Sequence, residues 1–351
     1  MLIRQTLAYL PSQIIGPLMQ FAAVITLTHY LSPADYGLTM LIFTSQELIF
    51  LASVSWWTFY MLRYGGMFTS TDDRARFRAT EASVLMGASL LQSVVTVVLI
   101  RATIGAVSPG FLLVAAGFVV TRSFLGFLSE RARSEVRIRE FSILQVAAPF
   151  GGLCVSILAL QLEGPRPGWV LAAFALVQGL VGLGVGFKLG VFARPGRPDS
   201  EILRKALRFG VSMIIAGALI WAASNSIRFV VQFMGGAEAL GLLSVAWGIA
   251  LRLAAMAGTL VTAAAYPLAV KAMMAGDVAG ARHQISSNSA LLMLVMAPAV
   301  AGLIAINEPM VKLLVAKEFQ AVSIAILPLA ILGAGIRNMR VHGWDQMYLL
   351  F

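Results

Sequence analysis

The sequence predicts an all-α, polytopic integral membrane protein, with about ten transmembrane helices in two parallel pseudo-repeated bundles around a central cavity. Three observations carry that expectation. Hydrophobic residues fill 59% of the 351 positions and charged residues only 12%, with a mean hydropathy of +0.86; a soluble domain has typically about 45–50% apolar and about 25% charged residues. Apolar runs of span length alternate with connections that are rich in basic residues on one side and poor in them on the other. A hairpin near the start of the chain recurs some two hundred residues later.

The first hairpin sets the pattern. Residues 12–30 carry no acidic side chain, Lys or Arg, and residues 38–62 are apolar except for Glu47 and small polar groups. Each run is long enough to cross a hydrocarbon layer of about 30 Å at about 1.5 Å per residue. Between them lies Leu31-Ser32-Pro33-Ala34-Asp35-Tyr36-Gly37. Pro33 cannot continue the preceding helix, Asp35 can cap the next, and Gly37 loosens the backbone at its start. Residues 1–10 read as a mixed, interfacial segment. The first apolar run reads as a retained span instead of a cleaved signal, because further spans follow it.

Ten spans are expected, at 12–31, 38–62, 82–100, 109–128, 142–162, 168–190, 209–231, 240–266, 288–306 and 320–336. Phe68–Arg78 opens with Ser, Thr and Asp capping signals and predicts a helix start. Residues 192–200 (FARPGRPDS) hold two prolines and a glycine, the strongest linker signal in the chain. Residues 308–319 are too charged for a span and read as a juxtamembrane segment with Pro309 at a helix start. The expected organisation is a six-helix bundle at 1–190, a cytoplasmic linker at 191–208, and an incomplete bundle of about four helices at 209–351.

Charge sets the orientation. Eighteen of the 26 Lys and Arg residues lie in Arg4 and the connections of one side, four (Arg101, Arg166, Lys312, Lys317) on the other, and four within spans. The positive-inside rule then places the N-terminus in the cytoplasm of a bacterial-type inner membrane. The net charge of +10 reads as basic loops facing an anionic leaflet, and nucleic acid is not expected as a partner. A lone Cys154 and the scattered His29, His283 and His342 offer no disulfide, metal spacing or catalytic cluster. No metal or organic cofactor is expected, and with short outer turns and no Walker-type loop neither is an enzyme or a direct ATP-driven machine.

The repeat aligns Gly37 with Gly241, an offset of 204, so that Tyr36-Gly37-Leu38 faces Leu240-Gly241-Leu242 and Phe43 faces Trp247. Six spans separate the two turns. The halves therefore share one orientation, as in the parallel repeats of transporter folds.

The turn at His29–Leu38, with Lys205-Ala-Leu-Arg-Phe-Gly210 opening span seven and Asn307-Glu-Pro-Met-Val-Lys-Leu-Leu314 ahead of span ten, resembles the oligosaccharide and polysaccharide flippases of the multidrug/oligosaccharidyl-lipid/polysaccharide exporter superfamily. The likeness implies two six-helix bundles around a cavity. It implies flipping of a polyprenyl diphosphate-linked oligosaccharide from the cytoplasmic to the outer leaflet for surface polysaccharide biosynthesis, such as lipopolysaccharide or exopolysaccharide. Implied partners are the lipid-linked oligosaccharide, membrane lipids and other polysaccharide-assembly membrane proteins. Family members have twelve or more spans. Here Tyr348-Leu-Leu-Phe351 reads as the opening of an eleventh.

Ionisable groups inside spans are the candidate site, because each costs about 2.5–3.5 kcal/mol to insert. Arg252 falls near the midplane, about eleven residues past Gly241. It either binds the diphosphate, which suits a planar guanidinium, or pairs with a carboxylate for structure. Glu47, within one residue of the equivalent position, is expected to pair with Arg252 and release it to substrate, to take a coupling proton, or to bond locally. Coupling to H+, Na+ or the membrane potential fits this arrangement. Arg122 and Arg228 either snorkel to an interface or, facing inward, mark an anion path. Asn225, Gln46 and Trp247 are candidate polar or sugar contacts; Gln92, Gln145 and Gln178 read as interhelix hydrogen bonders. Trp56, Trp57 and Trp169 are expected in an aromatic belt, with Trp221 and Trp247 deeper. Two rival readings remain: a cation-coupled drug antiporter of the same superfamily, which would want more cavity carboxylates, and a non-transporting membrane subunit.

Overall fold

A chain this apolar can cross a bilayer only by satisfying its backbone polar groups within helices or a closed barrel, and the structure takes the helical route. The computed structural model describes the backbone of residues 2–192 and 197–345. Side chains are described from residue 15, apart from 257, 259–268, 270, 271 and 274. The helices are α1 (Leu2–Thr28), α2 (Pro33–Phe50), α3 (Trp56–Tyr64), α4 (Thr71–Thr103), α5 (Pro109–Ser134), α6 (Ile138–Glu163), α7 (Pro167–Lys188), α8 (Ser200–Met274), α9 (Val278–Ala305), α10 (Asn307–Leu314) and α11 (Lys317–Met339). No strand occurs among the described residues. Eight helical stretches are long and apolar enough to cross a membrane, and Ile15–Thr28 is a shorter apolar one. All ten expected spans fall on helices, the seventh and eighth together on α8. The chain is a multi-pass membrane protein.

Backbone contacts divide the chain into two compact units, one of Met1–Pro33 with Gly241–Phe351 and the other of Ala34–Leu240. Each cut falls inside one of the two aligned turns, 31–37 and 235–241. In this division α1 keeps company with residues 241–351, and the first arm of α8 with α2 to α7.

The first turn is tighter than its sequence suggests. α2 begins at Pro33 itself, because a first-turn position needs no N–H and proline already has a helical φ. Asp35 then lies in the first helical turn, and Gly37 is buried inside the helix rather than loosening its start. The second turn shrinks further. Ala237-Glu-Ala-Leu240 are strong helix formers, so α8 runs on through them. Only Gly236 departs, with φ 72° and ψ −170°, a conformation open to glycine alone at little cost.

In the Ala34–Leu240 unit, α5 packs against α4, α6 and α7. Gly152 of α6 brings that helix so close to α7 that a Cβ there would sit 2.5 Å from the Phe174 ring. The expected helix start is present: Ser70 accepts from the Asp73 amide at 3.1 Å, and α4 runs unbroken from Thr71 through the span. In the other unit, α9 packs on α11. The Ala316 amide donates to Thr28 Oγ1 at 3.3 Å, and His29 Nε2 lies 3.0 Å from the Leu314 carbonyl, tying the end of α1 to the α10–α11 connection. α10 takes up the charged segment, with Pro309 in its first turn and Lys312 on Glu308 at 2.5 Å. Residues 193–196 of the expected linker, including Arg194, and the expected eleventh span at 348–351 lie outside the described residues.

Candidate functional site

The middle of α2 gathers the polar groups of its unit. At about 100° per residue, Phe43 and Glu47 lie about 40° apart on the helix surface, with Thr44 on one flank and Gln46 on the other. Arg122 of α5 donates from Nε to Gln46 Oε1 at 2.8 Å, and Gln46 Nε2 donates to Ser123 Oγ at 3.1 Å. The Arg122 guanidinium lies over the Phe43 and Phe118 rings, 5.1 and 5.8 Å from their centroids, and those rings stack at 4.7 Å. On the other flank, Arg228 of α8 donates from Nη1 to Thr44 Oγ1 at 2.6 Å. One helical turn thus holds two guanidiniums, with the exposed Glu47 carboxylate on the arc between them. Glu47 is near enough to attract Arg122.

Both arginines bond across to α2. The span expected at 109–128 belongs to a helix that continues to Ser134, which places Arg122 at its middle. There the buried Gln46 amide and two aromatic faces satisfy the guanidinium. Arg228 is likewise half-buried and bonded across to α2.

The Arg228 side of α8 continues as a stripe. Trp221, Asn225, Arg228 and Gln232 recur at intervals of three or four and so share one face. Asn225 donates back to the Trp221 carbonyl at 3.2 Å. The Trp221 indole N–H and the Gln232 amide oxygen are buried with no hydrogen-bond partner among the described residues. Buried polar atoms of this kind are costly, and at a site they are available to a ligand. Gln232 gave no separate signal in the sequence.

A π-helical turn at Leu51–Ser55 follows directly. Such wide turns displace backbone carbonyls and are frequent at functional sites. Here side chains take up the loosened groups: Trp56 Nε1 donates to the Ser53 carbonyl at 3.0 Å and Gln92 Nε2 to Ser53 Oγ at 2.8 Å. Gln92 is therefore the interhelix bonder its sequence suggests, and Gln178 accepts from Thr121 at 3.5 Å. A mainly apolar cavity of about 250 Å³ lies beside this turn, walled in part by Val54, Gln92 and Ser123.

Trp56 and Trp57 do not form an interfacial belt. Both are buried, and Trp57 donates to Glu81 Oε2 at 3.3 Å. Glu81 also pairs with Arg131, and both side chains are almost fully buried. This ion pair was not legible in the sequence, where Arg131 counts only as one more basic residue in a connection. Trp169 is partly exposed.

In the other unit, Arg252 donates from Nη1 to the Gly248 carbonyl at 3.0 Å, one turn back on its own helix. Trp247 Nε1 and Ser244 Oγ are buried there without hydrogen-bond partners among the described residues. Arg252 and Glu47 belong to different units. Among the described residues, no group of three or more His, Cys, Asp or Glu side chains could hold a metal ion.

Solved structures share this fold across nearly the whole chain. A lipid II flippase, MurJ, in an inward closed conformation superposes with a TM-score of 0.69 at 11% identity, covering 99% of this chain and 76% of that one. An inward-facing multidrug resistance transporter of the MATE family, in the MOP superfamily, gives 0.67 at 14% identity, covering 98% and 87%. A MOP superfamily transporter from Pyrococcus furiosus, described as having a binding pocket of reverse polarity, gives 0.59 at 15% identity, covering 99% and 85%. At these identities the likeness establishes the fold of MOP-superfamily transporters. No curated protein sequence matches the chain. A family profile described as "Polysaccharide biosynthesis protein" matches residues 74–324, well over half of the chain, and the chain belongs to that family.

Proposed function

We propose that this protein flips a lipid-linked oligosaccharide, carried on a polyprenyl diphosphate, from the cytoplasmic to the outer leaflet of a bacterial-type inner membrane by alternating access. The observation that carries the reading is the pair of guanidiniums, Arg122 and Arg228, fixed on one mid-span turn of α2. A diphosphate needs cationic donors to offset its desolvation in a membrane, and charge-assisted bonds from arginine supply them. Glu47 on the same turn serves as the gate or proton acceptor: neutralised, it leaves the turn more attractive to an anion. Trp221, Asn225 and Gln232 offer polar contacts to the sugar side of the headgroup. Arg252, in the other unit, keeps its proposed role as a phosphate ligand, and Trp247 its role as a sugar contact.

Direction follows from the potential. An anion leaving a negative interior gains about 2.3 kcal/mol per charge per 100 mV, so the headgroup moves outward downhill, and the N-terminus and basic connections face the cytoplasm. This turn carries two arginines against one carboxylate, which weighs against a carrier of cationic drugs. The test is translocation of a fluorescent lipid-linked oligosaccharide in proteoliposomes, with and without a potential. Stimulation by a potential negative on the basic face, lost in Arg122→Gln and Arg228→Gln proteins, supports the reading. Wild-type rates in both variants, or indifference to the potential, would refute it.

A further inference from the structure

At the end of α3, a second concentration of charge lies away from the α2 turn. A cavity of about 500 Å³ is walled by the end of α3, the glycine turn that follows it, the start of α4 and the end of α5. Arg63, Arg74, Arg78 and Arg131 line it, with Glu135 as the only acidic lining residue among the described residues. The acids nearby are already committed: Arg131 pairs with Glu81 and, at 3.1 Å, with Glu135. Arg63 stands over the Tyr64 and Phe209 rings at 5.6 and 5.5 Å. Arg74 spends only its Nε, on the Phe68 carbonyl at 3.1 Å, which orients the rest of its fork.

Arg74 and Arg78 are four residues apart on α4, so their charges stack on one helix face, an arrangement that disfavours the helix unless something sits between them. Arg76, by contrast, does not line the cavity and has its own carboxylate, Asp72, at 2.9 Å. No acid pairs with Arg74 or Arg78 among the described residues. All three side chains are exposed, so the difference is one of pairing: the two that line the cavity have no acid, and the one that does not has Asp72. Leu62, which lines the cavity, is exposed, an apolar border to a cationic hollow.

We propose that this pocket binds a phosphate monoester, held between Arg74 and Arg78 with Arg63 closing one side. The chemistry is shared by a lipid headgroup and by a soluble phosphate. The site is separate from the α2 turn and stands whether or not that turn carries a diphosphate.

The experiment uses the full chain in phosphatidylcholine nanodiscs. In one arm dioleoyl phosphatidic acid is incorporated and retained lipid is counted by native mass spectrometry. In the other, glycerol 3-phosphate is titrated calorimetrically. Saturable binding in the first arm alone identifies a lipid ligand, and in the second alone a soluble one. Arg74→Gln/Arg78→Gln should weaken binding about tenfold or more, and Arg76→Gln should leave it within about twofold. Gly66→Trp is a charge-neutral check: Gly66 lines the pocket and nothing lies within 4 Å of a Cβ there, so an indole has room to obstruct the site and should weaken binding. Absence of saturable binding in both arms, or equal weakening by Arg76→Gln, would overturn the proposal.

Discussion

Removing the carboxylate of Glu81 should be among the most damaging single changes outside the α2 turn. Its side chain is 2% exposed and that of Arg131 5%, so the charges are paired away from solvent. Breaking a buried pair by deleting one partner costs about 3–5 kcal/mol, because the other charge is left uncompensated. Two details move the expectation within that range. Arg131 keeps Glu135, but that carboxylate is one-third exposed and its attraction is screened. Trp57 loses the acceptor of its indole N–H, at 3.3 Å from Glu81, and a buried orphan donor adds about 1 kcal/mol or more. Glu81→Ala should therefore destabilise by about 3–4 kcal/mol. Glu81→Gln keeps volume and an acceptor for Trp57, so it should cost less. The assay is thermal unfolding of purified protein in detergent, ranking wild type above Glu81→Gln above Glu81→Ala. Glu81→Ala/Arg131→Ala should be more stable than the sum of its single changes predicts. Strict additivity, or a Glu81→Ala protein as stable as wild type, would refute the reasoning.

Other consequences are smaller or more local. Gly210 of α8 lies against Trp56, where a Cβ would come within 2.9 Å of the Trp56 Cα. Gly210→Val must push the first arm of α8 away, costing about 1–3 kcal/mol and loosening the Arg228–Thr44 bond; unchanged thermal stability would contradict this. Asp277 caps α9, accepting from the Gly280 amide at 2.7 Å; Asp277→Ala should cost about 1 kcal/mol, measured by the same unfolding assay. The hydrogen bond from Lys312 holds the Glu308 carboxyl below its usual range. The pair's contribution is therefore present above the ordinary glutamate pKa and lost only as pH falls through the lowered one; carboxyl chemical shifts should show this, and Lys312→Ala should abolish the shift.

Much of the scaffold was legible because it obeys short-range rules. Ser70 caps, Pro33 punctuates, and uncharged runs of span length become helices. Buried charge was missed where a helix outruns its apolar stretch. α4 begins at Thr71, well before the apolar run at residue 82, so Glu81 is helical and buried although it borders a basic connection. α5 likewise continues to Ser134, which turns Arg122 from a span-end residue into a mid-helix one. Trp56 and Trp57 suited an interface by type, yet the π-helical turn before them turns them inward onto Ser53 and Glu81. The candidate site was half visible. Arg122, Arg228, Gln46 and Glu47 stood out as polar groups in apolar runs, but only packing shows Gln46 to be the acceptor of Arg122 and Thr44 that of Arg228. Those pairings join residues 76 and 184 positions apart, and no local spacing reports them.

The central claim is that the mid-span turn of α2 presents two guanidiniums to a diphosphate. Equilibrium binding of farnesyl diphosphate to the purified protein, compared with farnesol, tests it most directly. The account predicts saturable binding of the diphosphate alone, weakened about tenfold or more by Arg122→Gln and by Arg228→Gln and strengthened by Glu47→Gln. Equal binding of farnesol, or diphosphate affinity unchanged in both arginine variants, would contradict it.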